Sequence, residues 1–317
     1  MEAIVYQKKS LQITDVPQPK PSKNEVLIKI LKAGICNTDL EILKGYMDFE
    51  GILGHEFVGQ IVEAKNKKWI GKRVVGEINI GCGECEYCLS KKSNHCPQRR
   101  VIGIWKKDGV FTKYLTLPEK NLHLVPDSIS DREAVFTEPL AAALQILDQI
   151  NLKSDDKVLV LGDGKLGLLI AQVVSLTDVE TFCLGKYERK LSILEKKGIN
   201  FFFERDKISQ KFDVIIEATG NKDGINHALE MIKPEGKIIL KSTFFGQVNF
   251  DFSKIVINEI SLIGSRCGPF DKALNLLKRK LINTEAMIDG DYFLNQGMIA
   301  FQEAQKKGTL KILISPS

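Results

Sequence analysis

The 317-residue chain lacks a long uninterrupted apolar run. Its most apolar stretch, VLVLGDGKLGLLIAQVV, is interrupted by Asp163 and Lys165 and falls short of a membrane span. The first residues, MEAIVYQKKS, lack the apolar core of a signal peptide. We therefore expect a cytoplasmic protein without a membrane partner.

The chain also lacks a strong excess of charge of either sign. The net charge is +5, with 45 lysines and arginines against 40 acidic residues. A nucleic-acid-binding domain usually carries clustered basic residues with few acids, so we expect no nucleic-acid partner. A composition with 44% hydrophobic and 27% charged residues is typical of a globular protein, and the length allows two domains.

Two patterns of secondary structure divide the chain. Short β-rich runs such as EVLIKILKAGI and FVGQIVEA, separated by turn residues, predict a small barrel or sandwich in the first part. The run DREAVFTEPLAAALQILDQI has apolar residues at helical spacing, and its first residue, Asp131, is a plausible N-cap. From KVLVLG onwards strands and helices alternate, which predicts a doubly wound parallel sheet. The final run, GTLKILISP, predicts a strand that returns to the first domain.

The most distinctive motif is CGECEYCLSKKSNHC, which spaces Cys82, Cys85, Cys88 and Cys96 as C-x2-C-x2-C-x7-C. Four thiolates in one loop suit a tetrahedral zinc ion, and cysteines in the cytosol stay reduced. An iron–sulfur cluster and four unrelated thiols are the alternatives. A zinc ion closed by four protein ligands has no position for substrate, so this site is predicted to be structural.

A glycine motif follows the first strand of the alternating region. In VLVLGDGKLG, the residues Gly162, Gly164 and Gly167 form G-x-G-x-x-G between a strand and a helix. The first glycine permits a tight turn, the second lets the backbone approach a pyrophosphate, and the third lets helix and strand pack closely. We predict that Gly162, Gly164, Lys165, Leu166 and Gly167 bind a dinucleotide at the helix N-terminus.

The end of the next strand bears on which dinucleotide binds. An acid there would hydrogen-bond the ribose 2′-hydroxyl of NAD. The run CLGKYERK instead has Gly185 and Lys186 at that point, with Arg189 and Lys190 soon after. We therefore predict that NADP is preferred to NAD. The alternatives are that these charges are simply solvated, or that Glu188 reaches the ribose.

One of the four histidines, His55, stands beside Glu56 in GILGHEFVGQ. This segment alone leaves open whether His55 is a metal ligand or a histidine packed on a strand. The motifs GICNTDL, GHEFVG, the four-cysteine lobe, EPLAAAL and the glycine motif occur in one order along the whole chain. In this the sequence resembles the zinc-dependent medium-chain alcohol dehydrogenases, most of all the branch of polyol, threonine and glucose dehydrogenases.

The resemblance implies a second, catalytic zinc ion bound by Cys36, His55 and Glu138. Three protein ligands leave one zinc position open for an alcohol or water. By the same resemblance Glu56 is an occasional fourth ligand or a catalytic partner of the bound water. Asp39 is expected to orient the His55 ring, as carboxylates commonly do for ligating histidines.

Other roles follow from the resemblance alone. Thr38 is expected to take the proton of the alcohol, although it could also simply be the N-cap of the helix that follows. Thr219, in EATG, is expected to lie beside the nicotinamide. Glu41 stands where many relatives have a relay histidine, and Asn37 where some have a phosphate-binding arginine. These two departures put the proton route and the pyrophosphate contacts in question.

The resemblance implies an α/β protein with a GroES-like β-rich catalytic domain, residues 1–138 and 267–317, and a Rossmann domain, residues 139–266. The expected function is zinc- and NAD(P)-dependent interconversion of a secondary alcohol or polyol with its carbonyl. A zinc-free quinone or enoyl reductase is excluded by the presence of the three ligands, whereas a nucleotide-binding scaffold with little turnover remains the alternative. A homodimer or homotetramer is expected by resemblance only.

Overall fold

In a computed structural model, residues 1–243 and 246–316 are described. The chain folds into two compact units. The first comprises Met1–Glu138 and Phe270–Ser317, and the second comprises Pro139–Pro269. The assignment of the catalytic and cofactor domains to residues 1–138 with 267–317 and to residues 139–266 stays a prediction.

The elements of the described residues are numbered in chain order. The strands are β1 (Glu2–Gln7), β2 (Ser10–Asp15), β3 (Glu25–Gly34), β4 (Gly51–Ile52), β5 (Glu56–Glu63), β6 (Arg73–Gly76), β7 (Asn79–Ile80), β8 (Arg100–Ile102), β9 (Lys106–Lys107), β10 (Tyr114–Pro118), β11 (Leu122–Leu124), β12 (Lys157–Leu161), β13 (Glu180–Gly185), β14 (Asn200–Phe203), β15 (Phe212–Glu217), β16 (Ile232–Leu240), β17 (Ser261–Gly264), β18 (Ile288–Phe293) and β19 (Lys311–Ser315). The helices are α1 (Asn37–Ile42), α2 (Glu86–Leu89), α3 (Asp131–Ala134), α4 (Thr137–Gln149), α5 (Lys165–Val174), α6 (Glu188–Glu195), α7 (Gly224–Met231), α8 (Phe252–Ile257), α9 (Phe270–Lys278) and α10 (Gly297–Gln305).

The first unit is built mainly from antiparallel strands. Its largest sheet has the order β11-β6-β5-β3-β19-β18, and β10 also pairs with β3. A second sheet has the order β2-β1-β4, and a small one the order β7-β8-β9. At the end of β3, Gly34 is paired with Glu56 of β5 and with Leu313 of β19. Three strands therefore meet where the chain turns into α1.

The second unit contains a parallel sheet with the order β14-β13-β12-β15-β16-β17. Counted from β12, this is the order 3-2-1-4-5-6 of a doubly wound fold. The central strands are apolar because helices cover both faces of such a sheet. The order reverses between β12 and β15, so ligands of this architecture bind outside the carboxyl ends of these two strands.

The run predicted to be helical forms two helices, and the N-cap of the first is Ser130 rather than Asp131. Helix α3 ends at Ala134 and α4 begins at Thr137. The Thr137 hydroxyl donates to the Ala134 carbonyl at 2.7 Å. Pro139 has no amide hydrogen and is tolerated only in the first turn of a helix, so a new helix must begin just before it. No helix of the described residues is long and apolar enough to cross a membrane.

Candidate metal centres and dinucleotide site

The side chains of Cys36, His55 and Glu56 converge in the first unit. Their ligand atoms all lie within 4.8 Å of one another. Cys36 directly precedes α1, whereas His55 and Glu56 lie at the start of β5. His55 is 3% exposed and Glu56 is 1% exposed. The fold therefore brings together a sulfur, a nitrogen and an oxygen donor from two separate segments.

This cluster, which we call the Cys36 cluster, contains buried polar atoms without partners. Among the described residues, neither Nδ1 of His55 nor Oε1 of Glu56 has a hydrogen-bond partner. Nδ1 of His55 does lie 3.4 Å from Oδ1 of Asp39, but the two groups are not aligned for a hydrogen bond. Leaving buried polar atoms unbonded is costly. Nitrogen, sulfur and carboxylate donors of this kind fit a zinc ion.

Asp39 joins the two segments that carry the cluster. It is fully buried, and its two oxygens accept hydrogen bonds from the Cys36 amide at 2.8 Å and the Gly54 amide at 3.2 Å. Burial by itself lowers the pKa of His55, but Asp39 and Cys36 outweigh it and hold that pKa well above its usual value. The Asp39 carboxylate thus fixes the backbone on both sides of the cluster.

Lys311 is a cluster neighbour that sequence reasoning misses. It lies on β19, is 1% exposed, and its ammonium group forms a short ion pair with Oε2 of Glu56. Burial lowers the pKa of Lys311, but Glu56, Cys36 and Glu138 raise it above the usual value. A β-carbon on Gly34 would lie 2.8 Å from Oε2 of Glu56, so only glycine leaves room for this pair. A lone lysine in the apolar run LKILIS is the signal that could have revealed it.

The second group is the predicted cysteine lobe. The sulfur atoms of Cys82, Cys85, Cys88 and Cys96 all lie within 4.8 Å of one another. The Cys85 amide donates to Cys82 Sγ, and the Cys82 amide donates to Cys96 Sγ, each at 3.4 Å. Hydrogen bonds from the amides of Glu84 and Cys85 lower the pKa of Cys82 to about 6. Four converging sulfurs, one of them stabilised as a thiolate, fit a zinc ion.

The glycine loop lies at the switch point of the second unit. Gly162 has φ 110°, and a β-carbon there would lie 2.7 Å from the Ala218 carbonyl oxygen. A β-carbon on Gly167 would lie 1.9 Å from the Gly162 carbonyl oxygen. Gly164, by contrast, faces open space and is the N-cap of α5 without a side-chain cap. The free side of Gly164 and the amides of Lys165 and the first turn of α5 fit a pyrophosphate.

Comparison with known proteins accounts for both units. Residues 22–127 match the model of the alcohol dehydrogenase GroES-like domain, and residues 166–279 match that of zinc-binding dehydrogenase. The chain is 31% identical to D-arabitol-phosphate dehydrogenase of Enterococcus avium, over 95% of this chain and 92% of that protein. The chain belongs to the zinc-type medium-chain alcohol dehydrogenase family.

Other relatives agree with this assignment. Sorbitol dehydrogenase of Halalkalibacterium halodurans is 28% identical to the chain, over 96% of this chain and 95% of that protein. A putative zinc-binding dehydrogenase from Sinorhizobium meliloti, solved bound to NADP, superposes with a TM-score of 0.89 at 26% identity, over 99% of each chain. An alcohol dehydrogenase from Escherichia coli, solved with NADH, superposes with a TM-score of 0.90 at the same identity and coverage. The predicted family, enzyme class and fold, GroES-like plus Rossmann, are thereby confirmed.

The remaining predicted residues of this dehydrogenase lie as follows. Glu138 lies in the first turn of α4 and is close enough to Lys311 to raise its pKa, but it is not part of the Cys36 cluster. Its role as a ligand stays a prediction. The Thr38 hydroxyl lies 3.7 Å from Cys36 Sγ. Thr38 is not the N-cap of α1, because Cys36 occupies that position.

Glu41 departs from the pattern that the resemblance implies, whereas Thr219 is one of the predicted cofactor-binding residues. Glu41 is buried and pairs with Lys44 at 2.7 Å, so a carboxylate stands where relatives have the relay histidine. Thr219 follows β15 at the switch point, and its amide and hydroxyl both donate to Oε1 of Glu217. Glu217 is 3% exposed and thus holds the turn that carries Thr219.

A cavity of about 440 Å³ lies in the first unit, lined by Asp48, Phe49, Glu50, Trp105, Lys106, Lys107 and Asp108. Its two walls are joined by backbone hydrogen bonds, from Gly109 to Ile52 at 2.7 Å and from Val110 to Gly54 at 3.1 Å. Gly54 directly precedes His55. One of the two segments that line the cavity therefore continues along the chain to His55, although the seven lining residues include no member of the Cys36 cluster.

Proposed function

We propose that the dehydrogenase interconverts a secondary alcohol, most suitably a polyol, with the corresponding carbonyl compound by hydride transfer to or from NADP. The observation that carries this proposal is the Cys36 cluster with its unpartnered buried atoms on His55 and Glu56. A scaffold without turnover has no need to keep such costly atoms buried.

In the proposed site, Cys36, His55 and Glu138 bind the catalytic zinc ion, and Glu56 is its occasional fourth ligand. A zinc ion held there would lower the pKa of a bound alcohol towards neutral pH. Cys36 Sγ donates to the Thr38 hydroxyl oxygen at 3.7 Å, so this hydroxyl lies beside a proposed zinc ligand. A hydroxyl oxygen has two lone pairs, and the second can accept the alcohol proton. Asp39 keeps the two ligand segments in place.

The four cysteines of the lobe bind a second zinc ion in this proposal. All four are protein ligands, so the ion is closed to substrate and has a structural role. The dehydrogenase thus carries one catalytic and one structural zinc ion per chain.

The proposed preference for NADP rests on charge at the start of α6. Lys186 and Arg189 are exposed there, and β13 ends in Gly185 without a side chain of its own. Cations near the strand end suit a 2′-phosphate, and Gly162, Gly164, Leu166 and the first turn of α5 suit the pyrophosphate.

The lining of the cavity in the first unit supports the choice of a polyol. Phe49 and Trp105 supply apolar surface, and the carboxylates of Asp48, Glu50 and Asp108 can accept hydrogen bonds from hydroxyl groups. A site built to hydrogen-bond hydroxyls discriminates strongly against analogues that lack them.

We also propose a homodimer or homotetramer. Strand β17 lies at the edge of the sheet of the second unit, and such edges need a partner or a cover. In α8, which directly precedes it, Phe252 is 67% exposed, Val256 60% and Ile257 78%. Sedimentation velocity is the direct measurement of the oligomeric state.

The first experiment is the zinc content per chain of protein purified without chelator, together with hydride transfer on a panel of polyols and simple secondary alcohols. Glu138→Ala is expected to lose one of the two zinc ions and all measurable turnover. Glu133→Ala is the matched control, because it removes a carboxylate of α3 that pairs with Lys280. It is expected to keep both zinc ions and its turnover. One zinc ion in wild type and variant alike, without turnover of any substrate, contradicts the proposal.

A further inference from the structure

The carboxyl end of β13 is occupied by an acidic side chain that comes from another part of the chain. Asp163, between the first two glycines of the loop, is 7% exposed. A β-carbon added to Gly185 would lie 2.6 Å from Cβ and 2.9 Å from Oδ2 of Asp163. The Asp163 carboxylate therefore fills the space into which a side chain at the strand end would extend.

Backbone hydrogen bonds fix the Asp163 carboxylate there. Its Oδ2 accepts hydrogen bonds from the amides of Lys186 and Tyr187, both at 2.8 Å. These two amides precede α6 and would otherwise point towards any anion bound at the strand end. A carboxylate of this protein, rather than a phosphate, is thus bonded to them.

A buried cation completes the arrangement. Lys190 is 5% exposed, its ammonium lies 3.7 Å from Oδ1 of Asp163, and it lies 4.4 Å above the ring of Tyr187. The end of β13, where the two dinucleotides are discriminated, therefore holds a carboxylate and an ammonium group together. Lys186 and Arg189, which are exposed, add positive charge around this pair.

The adenosine ribose of a dinucleotide binds next to the end of the second strand of this fold. A 2′-phosphate there meets the attraction of the cations and, at the same place, the repulsion of the Asp163 carboxylate. A 2′-hydroxyl meets no repulsion and can donate to a carboxylate oxygen. Both effects of Asp163 favour NAD relative to NADP, in opposition to the surrounding lysines and arginine.

We propose that Asp163 is the residue that limits the preference for NADP and lets the dehydrogenase bind NAD as well. This inference rests on the proposed use of a nicotinamide dinucleotide. A new carboxylate at the strand end itself would not be a clean test of the preference. Gly185→Asp would press a second carboxylate against Asp163, so its effect on binding would mix discrimination with a steric clash.

The test is the dissociation constant of NADPH and of NADH, measured by fluorescence titration of the zinc-loaded protein without substrate. In Asp163→Asn the side-chain oxygen can still accept from the two backbone amides, but the negative charge is gone. We expect the ratio of the NADH to the NADPH dissociation constant to rise at least tenfold. Asp178→Asn, the same change at an exposed position before β13, is the matched control and is expected to leave the ratio unchanged.

Lys190→Gln is the second variant. It is expected to lower the ratio of the NADH to the NADPH dissociation constant, because Asp163 then loses its counter-ion. NADPH binding is expected to weaken by tenfold or more while NADH binding changes little. A ratio that does not move in a folded Asp163→Asn protein overturns the inference. If Asp163→Asn does not fold, equal weakening of both dinucleotides in Lys190→Gln overturns it.

Binding without turnover separates this inference from the proposed function. A shifted binding ratio in a protein that oxidises no alcohol supports the role of Asp163 and contradicts only the proposed reaction. A wild-type protein that binds neither dinucleotide contradicts both.

Discussion

The Cys36 cluster and the cysteine lobe are both groups of candidate zinc ligands, but they are held in different ways. The lobe draws its four sulfurs from one surface loop, in which backbone amides donate to sulfur. The Cys36 cluster draws its atoms from separate segments, and two buried charged residues, Asp39 and Lys311, hold it in place. The lobe is thus a local arrangement within one loop, whereas the Cys36 cluster depends on the surrounding fold.

This difference matches the two proposed roles. A structural zinc ion contributes folding free energy to a loop that has little apolar core of its own. A catalytic site must hold its ligands in place while one position stays open, so the protein must supply the rigidity. Removing a ligand from the Cys36 cluster should therefore affect mainly activity, and removing one from the lobe mainly stability.

The largest effect is expected for His55→Ala. Loss of this ligand should remove the catalytic zinc ion and lower kcat/KM by roughly a thousandfold or more, because metal polarisation supplies several kcal/mol of transition-state stabilisation. The thermal midpoint should change little, since Asp39 still bonds both backbone segments. Steady-state kinetics and zinc analysis measure the two outcomes, with exposed His227→Ala as the control.

Cys85→Ser should give the reverse result. The lobe should lose its zinc ion and become protease-sensitive around residues 81–99, and the stability loss should reach several kcal/mol. Turnover should persist at low temperature because the Cys36 cluster is untouched. Cys267→Ser, outside both groups, controls for the loss of a thiol. A lobe variant that keeps its zinc ion, or loses all activity while folded, would remove the contrast between the two regions.

Lys311→Met tests whether the fold defines the Cys36 cluster. Removing the ammonium leaves Glu56 buried without its ion-pair partner, which should destabilise the protein by about 3–5 kcal/mol. The double variant with Glu56→Gln should recover much of this loss, because the uncompensated charge is gone. Denaturant unfolding of the four forms measures the coupling. Lys44→Met, which breaks an ion pair whose lysine is 64% exposed, should cost no more than about 1 kcal/mol.

The smallest expected effect on stability is that of His123. Unlike the charged residues around the Cys36 cluster, this histidine lies between two carboxylates near the surface. Its ring nitrogens lie 3.0 Å from Glu77 and 2.7 Å from Asp271. Burial lowers the pKa of His123, but the two carboxylates outweigh it and raise that pKa. The two ion pairs of His123 therefore stabilise the fold fully below about pH 6.5, the pKa of histidine in the unfolded chain. This stabilisation is lost as the pH rises through the higher pKa of the folded state.

Because Asp271 is 86% exposed, solvent screens this contribution and we expect about 1 kcal/mol or less. His123→Gln should accordingly lower the unfolding midpoint at pH 5.5 and leave it unchanged at pH 9. Equal losses at both pH values would show that the ring acts through packing on Phe270 rather than through its charge.

Much of the fold follows from local patterns. The spacing of the cysteines predicts a single converging loop, since ligands so close in sequence have few other arrangements. Alternating strands and helices after Lys157 predict the parallel sheet, and Gly162, Gly164 and Gly167 predict its phosphate-binding turn. The pairing of Cys36 with His55, by contrast, came from resemblance to a family rather than from the segment itself.

Two features of the sites were beyond sequence reasoning. Lys311 reaches Glu56 only because β19 returns beside β3. Asp163 fills the end of β13 only because the glycine loop turns towards it. Each depends on contacts between residues far apart in the chain.

The sequence by itself determined the elements whose cause is local: strand and helix periodicity, the tight glycine turn, and the closely spaced sulfurs. Only the tertiary structure decided which charges became neighbours in the interior. Burial makes such neighbours matter, because a charge removed from water must be compensated by whichever group the fold brings next to it. Lys311 at Glu56 and Asp163 at Lys190 are the two places where that compensation shapes the chemistry of this dehydrogenase.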